Sequence, residues 1–213
     1  MLLYITLMQR FFSKILSKQN VKNEVDMYIQ GYLTGQILIA SPFMEDARFI
    51  HSVIYLCGHD ENGAMGFILN KPISSVKFHD LLDQLHIPHT KEYEAFPVLY
   101  GGPMEAGRGF VLHSTEYHHP ATVKINHDFS ITATLEILKE IASTHGPKNS
   151  LLALGYTGWN KGQLEKELQE NQWFVVKGSK QLVYDTAIDG MWNKAYESLG
   201  VDPHILVNEG GRA

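Results

Sequence analysis

Val53-Ile54-Tyr55-Leu56-Cys57, then His59-Asp60-Glu61-Asn62-Gly63, then Met65-Gly66-Phe67-Ile68-Leu69 is the stretch that decides the fold. Two apolar runs rich in β-branched and aromatic residues flank an Asn-Gly step, and Asn-Gly supplies the positive φ angles of a tight hairpin turn. On its N-terminal side, Gln36-Ile37-Leu38-Ile39-Ala40 reads as a buried strand. Ser41-Pro42 ends that strand and reads as the start of a helical turn, with Ser as cap and Pro at the first position.

On the C-terminal side the periodicity changes. Phe78, Leu81, Leu82 and Leu85 fall at i, i+3, i+4 and i+7, which predicts a helix over about Val76 to His86. Val98-Leu99-Tyr100 and Gly109-Phe110-Val111-Leu112-His113 read as strands around a Gly101-Gly102-Pro103 turn. Ala121 to Ile125 and Phe129 to Thr132 suggest a short hairpin. Leu135, Leu138, Ile141 and Ala142 mark a helix stopped by Gly146-Pro147. Leu151 to Leu154 reads as a buried strand, Gly155 to Gly162 as a loop, and Gln163 to Asn171 as a helix anchored by Leu164 and Leu168. Trp173 to Val176 is a further strand. Ile188, Met191, Trp192, Ala195 and Leu199 give a last helical face closed by Gly200. Hairpins mixed with separate helices predict an α+β fold, a single compact domain around a mixed sheet, rather than regular βαβ winding.

Length and composition agree. A chain of 213 residues and 24.1 kDa, 44% hydrophobic and 19% charged, has a globular composition and room for one self-sufficient core. The single Cys57 excludes an intramolecular disulfide framework and any multi-cysteine zinc cluster, and suits a reducing compartment, so a cytoplasmic location is expected. No apolar run approaches the roughly 20 residues that span a bilayer.

The ends differ from the middle. Met1 to Asp26 carries Arg10, Lys14, Lys18 and Lys22 against Glu24 and Asp26, whereas the rest holds 14 basic and 21 acidic residues, a net charge of −7. The four cations recur every fourth residue, a stripe on a helix that suits contact of residues 1–22 with an anionic membrane surface. A secretory leader has the opposite order of charge and apolar residues. The plainer expectation is an upstream start, with Met27 as the true one, or a disordered extension. The expected organisation is therefore an extension over 1–26, one domain over 27–207 and a flexible tail over 208–213.

Gly35 to Pro72 (GQILIASPFMEDARFIHSVIYLCGHDENGAMGFILNKP) resembles the start of the AlgH/YqgE family of bacterial proteins. Val98 to Ser114 (VLYGGPMEAGRGFVLHS), Leu152 to Trp173 (LALGYTGWNKGQLEKELQENQW) and Trp192 to Pro203 (WNKAYESLGVDP) agree with it in order. Ala47 stands where the family usually has Pro, Gly58 where Glu is common, and Thr157 where Ala is common. The resemblance implies a compact fold with helices around a branched sheet and a role in transcriptional regulation. It implies no agreed catalytic residues.

Few segments invite chemistry. In Gly155-Tyr156-Thr157-Gly158-Trp159-Asn160-Lys161-Gly162, exposed backbone N–H groups before a helix could hold an anion, with Tyr156 and Trp159 stacking on a flat group. The competing reading is a tight turn with Trp159 in the core. Gly101 and Gly102 similarly present donors or merely a sharp corner. Asn70, Lys71, Arg48 and Arg108 lie near strand ends. The arginines suit bidentate anion binding, or ordinary salt bridges to Glu45, Asp46 or Glu105.

Eleven histidines show no recognised metal spacing, His86-x-x-His89 and His118-His119 included, so neither a metal nor a cofactor is expected. Ser74-Ser75-Val76-Lys77 matches Ser-x-x-Lys without companion motifs, and Cys57 reads as a buried inert thiol. Direct nucleic-acid binding is disfavoured by the acidic charge. The preferred reading is a non-enzymatic regulatory module binding a small ligand or protein partner through Asn70, Lys71, Gly101, Gly102, Arg108, Gly155, Tyr156, Gly158 and Trp159. The alternatives are an enzyme acting on an anionic substrate through Lys71, Arg108 and the 155–162 segment, and a DNA-binding regulator.

Overall fold

A computed structural model describes residues 32–89, 96–143 and 145–203. The basic stretch 1–26 and the tail 208–213 lie outside the described residues. The strands are β1 (Gln36–Ala40), β2 (Val53–Asp60), β3 (Gly63–Ile68), β4 (Val98–Tyr100), β5 (Met104–Ser114), β6 (Val123–Lys124), β7 (Phe129–Thr132), β8 (Ser150–Asn160) and β9 (Trp173–Lys177). The helices are α1 (Phe78–Gln84), α2 (Leu135–Ala142), α3 (Gln163–Gln169), α4 (Lys180–Tyr184) and α5 (Met191–Glu197), the last preceded by a 3-10 turn at Ile188–Gly190.

The strands form one sheet in the order β6-β7-β5-β8-β3-β2-β1-β9, and β4 pairs with β8 outside that path. The β4–β8 pair is parallel and the others are antiparallel. The long strand β8 is therefore the branch point. Its first half is flanked by β5 and β4, through Val98↔Leu152 and Phe110↔Ala153, and its second half by β3, through Gly66↔Thr157 and Ala64↔Trp159.

The unbroken apolar runs of β1 and β2 follow from burial on both faces, as expected of strands covered on two sides. Ile37, Ile39, Val53 and Tyr55 enter one core, and Leu38, Ala40, Ile54 and Leu56 enter another on the opposite face. The first core also takes Phe110, Leu112, Phe129 and Ile131 from the far strands, with Phe67–Phe110 and Tyr55–Phe129 ring centroids 5.0 and 4.7 Å apart. The sheet thus folds back so that one face of each half meets in the middle. Helix α5 closes that core, its Trp192 Nε1 and Tyr196 Oη both donating to the Ala40 carbonyl at 2.9 and 3.2 Å. Helices α1 and α2 cover a third core around Val98, Val111 and Leu152.

Two expectations are corrected. Gly155 to Asn160 is not a loop but the continuation of β8, because β3 supplies hydrogen-bonding partners as far as Asn160. Ser41-Pro42 starts no helix. Ser41 closes a turn in which its Oγ accepts from Phe43 N–H at 3.2 Å and its carbonyl from Met44 N–H at 3.0 Å. These are the bonds of a Ser-capped first turn, but the chain does not wind on into a helix after it. Helix α4, which no periodicity announced, is five residues capped by Ser179, whose Oγ accepts from Leu182 N–H.

Candidate functional site

The glycines have a packing cause. The chain leaves β4 on one side of β8 and must reach β5 on the other, so Gly101-Gly102-Pro103 passes directly over β8. A Cβ on Gly101 would lie 2.3 Å from the Gly155 carbonyl oxygen, one on Gly102 would lie 2.3 Å from the Tyr156 carbonyl carbon, and one on Gly155 would lie 2.5 Å from the Gly102 oxygen. Gly155 also takes φ +73°, which an L side chain resists. The three glycines let two backbones cross in contact. The Gly101 N–H already donates to the Leu154 carbonyl at 2.8 Å and its carbonyl accepts from Ile68 N–H at 3.0 Å.

The polar candidates are spoken for as well. Asn70 fastens the start of β2, its Oδ1 accepting from Val53 N–H at 2.9 Å and its Nδ2 donating to the His51 carbonyl at 2.8 Å. Lys71 Nζ donates to the Arg48 carbonyl at 2.7 Å, and burial lowers its pKa. Arg108 pairs with Glu105 at 3.2 Å and lies 5.0 Å from the Phe110 ring centroid. It sits on a bulge, Glu105 to Arg108, that loops out between the β5 pairings at Met104 and Gly109. Tyr156 Oη reaches Glu105 at 3.5 Å. Cys57 is buried, which pushes its thiol pKa up and leaves it a poor nucleophile. Each of these polar side chains is thus engaged within the fold, and Lys71 is tied to the turn that carries Asp46 and Arg48, where its charge helps to lower the Asp46 pKa.

Gly158 and Trp159 do border a hollow, of about 180 Å³, and its geometry begins with the open edge of β8. Along that edge β5 pairs only as far as Met104↔Tyr156. Beyond it Pro103, which has no N–H, turns the chain away. The Trp159 carbonyl faces β3 beside Gly63, and Asn160 N–H is taken by Gln163 Oε1 at 3.0 Å. By the alternation of an antiparallel ladder, Gly158 turns its N–H and C=O away from β3, to the unpaired edge. Gly158 is exposed there.

Opposite this edge stands the turn after β1, presenting Met44, Asp46, Arg48 and Phe49. Arg48 grips Asp46 with Nε and Nη2 at 3.0 and 2.6 Å, and this bond chiefly holds the Asp46 pKa below the ordinary carboxylate range. The end wall is Trp159, Trp173, Gln163, Glu167 and Gln172. One oxygen of Glu167 accepts both indole N–H groups, from Trp159 at 2.7 Å and Trp173 at 2.8 Å, and the other accepts from Gln163 Nε2 at 2.9 Å. The two indoles stand edge to face, and Phe49 stands edge to face on Trp173. Helix α3 is held over the slot by His59, a buried histidine bonded through Nε2 to Glu165 at 2.9 Å while its Nδ1 accepts from Leu33 N–H at 3.1 Å.

Reasoning from sequence missed Glu167, Trp173 and Phe49. The signal for Glu167 was present. Leu164, Glu167 and Leu168 share one face of α3, and a tryptophan on each side of the helix brings an N–H that needs a buried acceptor.

Fold and slot together define a single-domain α+β protein, with a branched sheet and one strand edge open beside two tryptophans locked by a carboxylate. Residues 37–204 match the family described as AlgH-like (DUF179), and the chain belongs to that family. It is 47% identical over 183 residues to a UPF0301 protein of Jannaschia sp., covering 85% of this chain and 95% of the relative. It is 48% identical over 194 residues to one of Nitrobacter hamburgensis, covering 86% and 89%. The solution structure of the AlgH protein from Pseudomonas aeruginosa superposes with a TM-score of 0.71 at 33% identity, covering 85% of this chain and 96% of that one. A crystal structure of a Corynebacterium diphtheriae protein, with a TM-score of 0.64 at 20% identity over 78% and 86%, shares the fold. Among the described residues no helix is long and apolar enough to cross a membrane.

Proposed function

We propose that this chain is a non-enzymatic binding module, regulatory in role, whose ligand or partner enters the slot between the open edge of β8 and the 44–49 turn. The observation that carries this reading is the unpaired backbone of Gly158 at the floor of a hollow walled by Phe49, Trp159 and Trp173. Apolar walls with a few placed polar groups are the usual make-up of a binding site. The alternative of an enzyme acting on an anionic substrate through Lys71 and Arg108 has less behind it. Lys71 is engaged with a backbone carbonyl, Arg108 with Glu105, and Cys57 is sealed. A cytoplasmic location is part of the proposal, as the setting for a chain whose one thiol is free and buried.

The test is a fragment titration of the ¹⁵N-labelled chain followed by NMR. Amide shifts are expected to cluster on Thr157, Gly158 and Trp159 and on the indole N–H groups of Trp159 and Trp173. Shifts centred on the 105–108 bulge would overturn the reading. So would turnover of a substrate that single substitutions abolish.

A further inference from the structure

Resting on that reading, we infer that the slot takes an extended peptide segment of a partner protein, added as a strand to the free edge of β8 and carrying a Lys or Arg side chain. Three observations converge on this occupant.

The first is the edge itself. Thr157 to Asn160 is paired with β3 on one side and, among the described residues, with no strand on the other. An edge of this kind offers N–H and C=O at Gly158 spaced to match another backbone, and strand addition is how exposed edges recognise peptides. Within it Gly158 turns both backbone groups outward while Asn160 N–H is taken by Gln163, so the edge engages one partner residue by a pair of hydrogen bonds and seats its two neighbours alongside, about 10 Å of strand.

The second is Gly158. The crossing glycines are imposed by contact, but a Cβ here would meet nothing closer than the Tyr156 ring at 3.4 Å, an ordinary packing distance. The fold does not require a glycine at this position. A bare strand residue at an edge does leave room for another backbone to approach.

The third is charge. Arg48 is matched by Asp46, and Lys166 by Glu170. Glu167 accepts from two indoles and an amide, and among the described residues no cation lies within ion-pair distance of it. Lys71 and Arg48 both face Asp46 at the turn, so Glu167 is, among the described residues, the slot carboxylate without an ion pair, beside indole rings suited to a cation. Cross-strand neighbours share a face, so a partner residue set opposite Thr157 or Trp159 turns its side chain to the face that carries Trp159. A cationic side chain there lies beside Glu167, and an acidic one is repelled.

The test uses the full chain, ¹⁵N-labelled, and three blocked peptides: acetyl-Thr-Val-Lys-Val-Thr-amide, its Lys→Glu analogue, and a version N-methylated at the backbone amides. Millimolar lysine peptide is expected to give saturable shifts at Gly158 and at both slot indoles. N-methylation is expected to weaken binding about tenfold or more, because it removes the strand hydrogen bonds. The Lys→Glu analogue is expected to bind several-fold more weakly, with a difference that shrinks as salt is added. The variant Glu167→Gln, its fold checked by urea unfolding, is expected to lose most of the Lys-over-Glu preference.

Absence of shifts with the lysine peptide would overturn the inference, as would equal binding of the N-methylated peptide. Shifts at Gly158 that depend only on protein concentration would overturn it in favour of a second copy of the chain. If fragments perturb the slot but peptides do not, the binding-module reading stands and the peptide inference falls. If nothing perturbs the slot, both fall.

Discussion

Glu167 is the residue on which the slot's geometry turns. One carboxylate holds two indoles that sequence separates by fourteen positions, and truncation leaves both N–H groups without an acceptor in a largely buried place. Glu167→Ala is therefore expected to lower stability by about 2 kcal/mol and to alter tryptophan emission in the native state. Glu167→Gln, which keeps an acceptor oxygen, is expected to lose less. Urea unfolding followed by fluorescence checks both.

His113 is the second residue with a consequence. It is fully buried, its Nδ1 lies 2.9 Å from the Ser114 carbonyl and its Nε2 2.9 Å from Thr132 Oγ1, which in turn lies 2.7 Å from Thr122 Oγ1. A carbonyl only accepts, so Nδ1 carries the proton and Nε2 accepts from the hydroxyl. Burial lowers the imidazole pKa below its ordinary value, so the folded state favours the neutral ring. The unfolded chain takes up the proton first. The stabilising contribution is therefore full above about pH 6.5 and is lost as pH falls below it, with a slope of at most about 1.4 kcal/mol per pH unit for this one group. Thermal unfolding between pH 7.5 and 5 is expected to show a steeper decline in the wild type than in His113→Gln.

At the scale of elements, the crossing of the 101–103 segment over β8 is what branches the sheet. Any side chain at Gly101 drives into the Gly155 carbonyl, a backbone atom that cannot swing aside. Gly101→Ala is expected to cost about 3 kcal/mol or more, and Gly158→Ala under 1 kcal/mol, since the latter meets only an ordinary contact. Denaturant midpoints of the two variants, measured side by side, separate a glycine the fold needs from one it does not.

The same contrast marks what was legible in sequence. The hairpin of β2 and β3 and the apolar stripes of α1, α2 and α5 declare themselves, because local turn chemistry and period carry them. The second half of β8 does not. Its Gly-Tyr-Thr-Gly composition reads as a loop, and only the long-range ladder with β3 makes it a strand. The slot was half legible for the same reason. Gly158 and Trp159 stood out by type, while Phe49 and Trp173 arrive from distant elements. Asn70, Lys71 and Arg108 looked available only because their partners, a carbonyl across a turn and a carboxylate on a bulge, are tertiary.

Across the whole molecule, burial of the sheet is uneven, and protection against hydrogen exchange should follow it. Strands β1, β2 and β3 are flanked by neighbours and covered on both faces, so their amides open only with global unfolding. The 105–108 bulge is exposed and off register, so its amides should exchange fastest among the described strands. Strand β8 divides between these limits along its length. Leu152 to Leu154 lies between β4 and β5, whereas Thr157 to Asn160 has β3 alone. Within that second half the alternation of the ladder sets a sharper expectation: Thr157 and Trp159 turn inward to β3 and should be slow, while Gly158 turns to the open edge and should exchange faster by about two orders of magnitude or more. An amide-resolved exchange series reads this directly. A Gly158 amide as slow as its two neighbours would mean that the edge is already closed in the free protein, and the slot would lose its backbone donor.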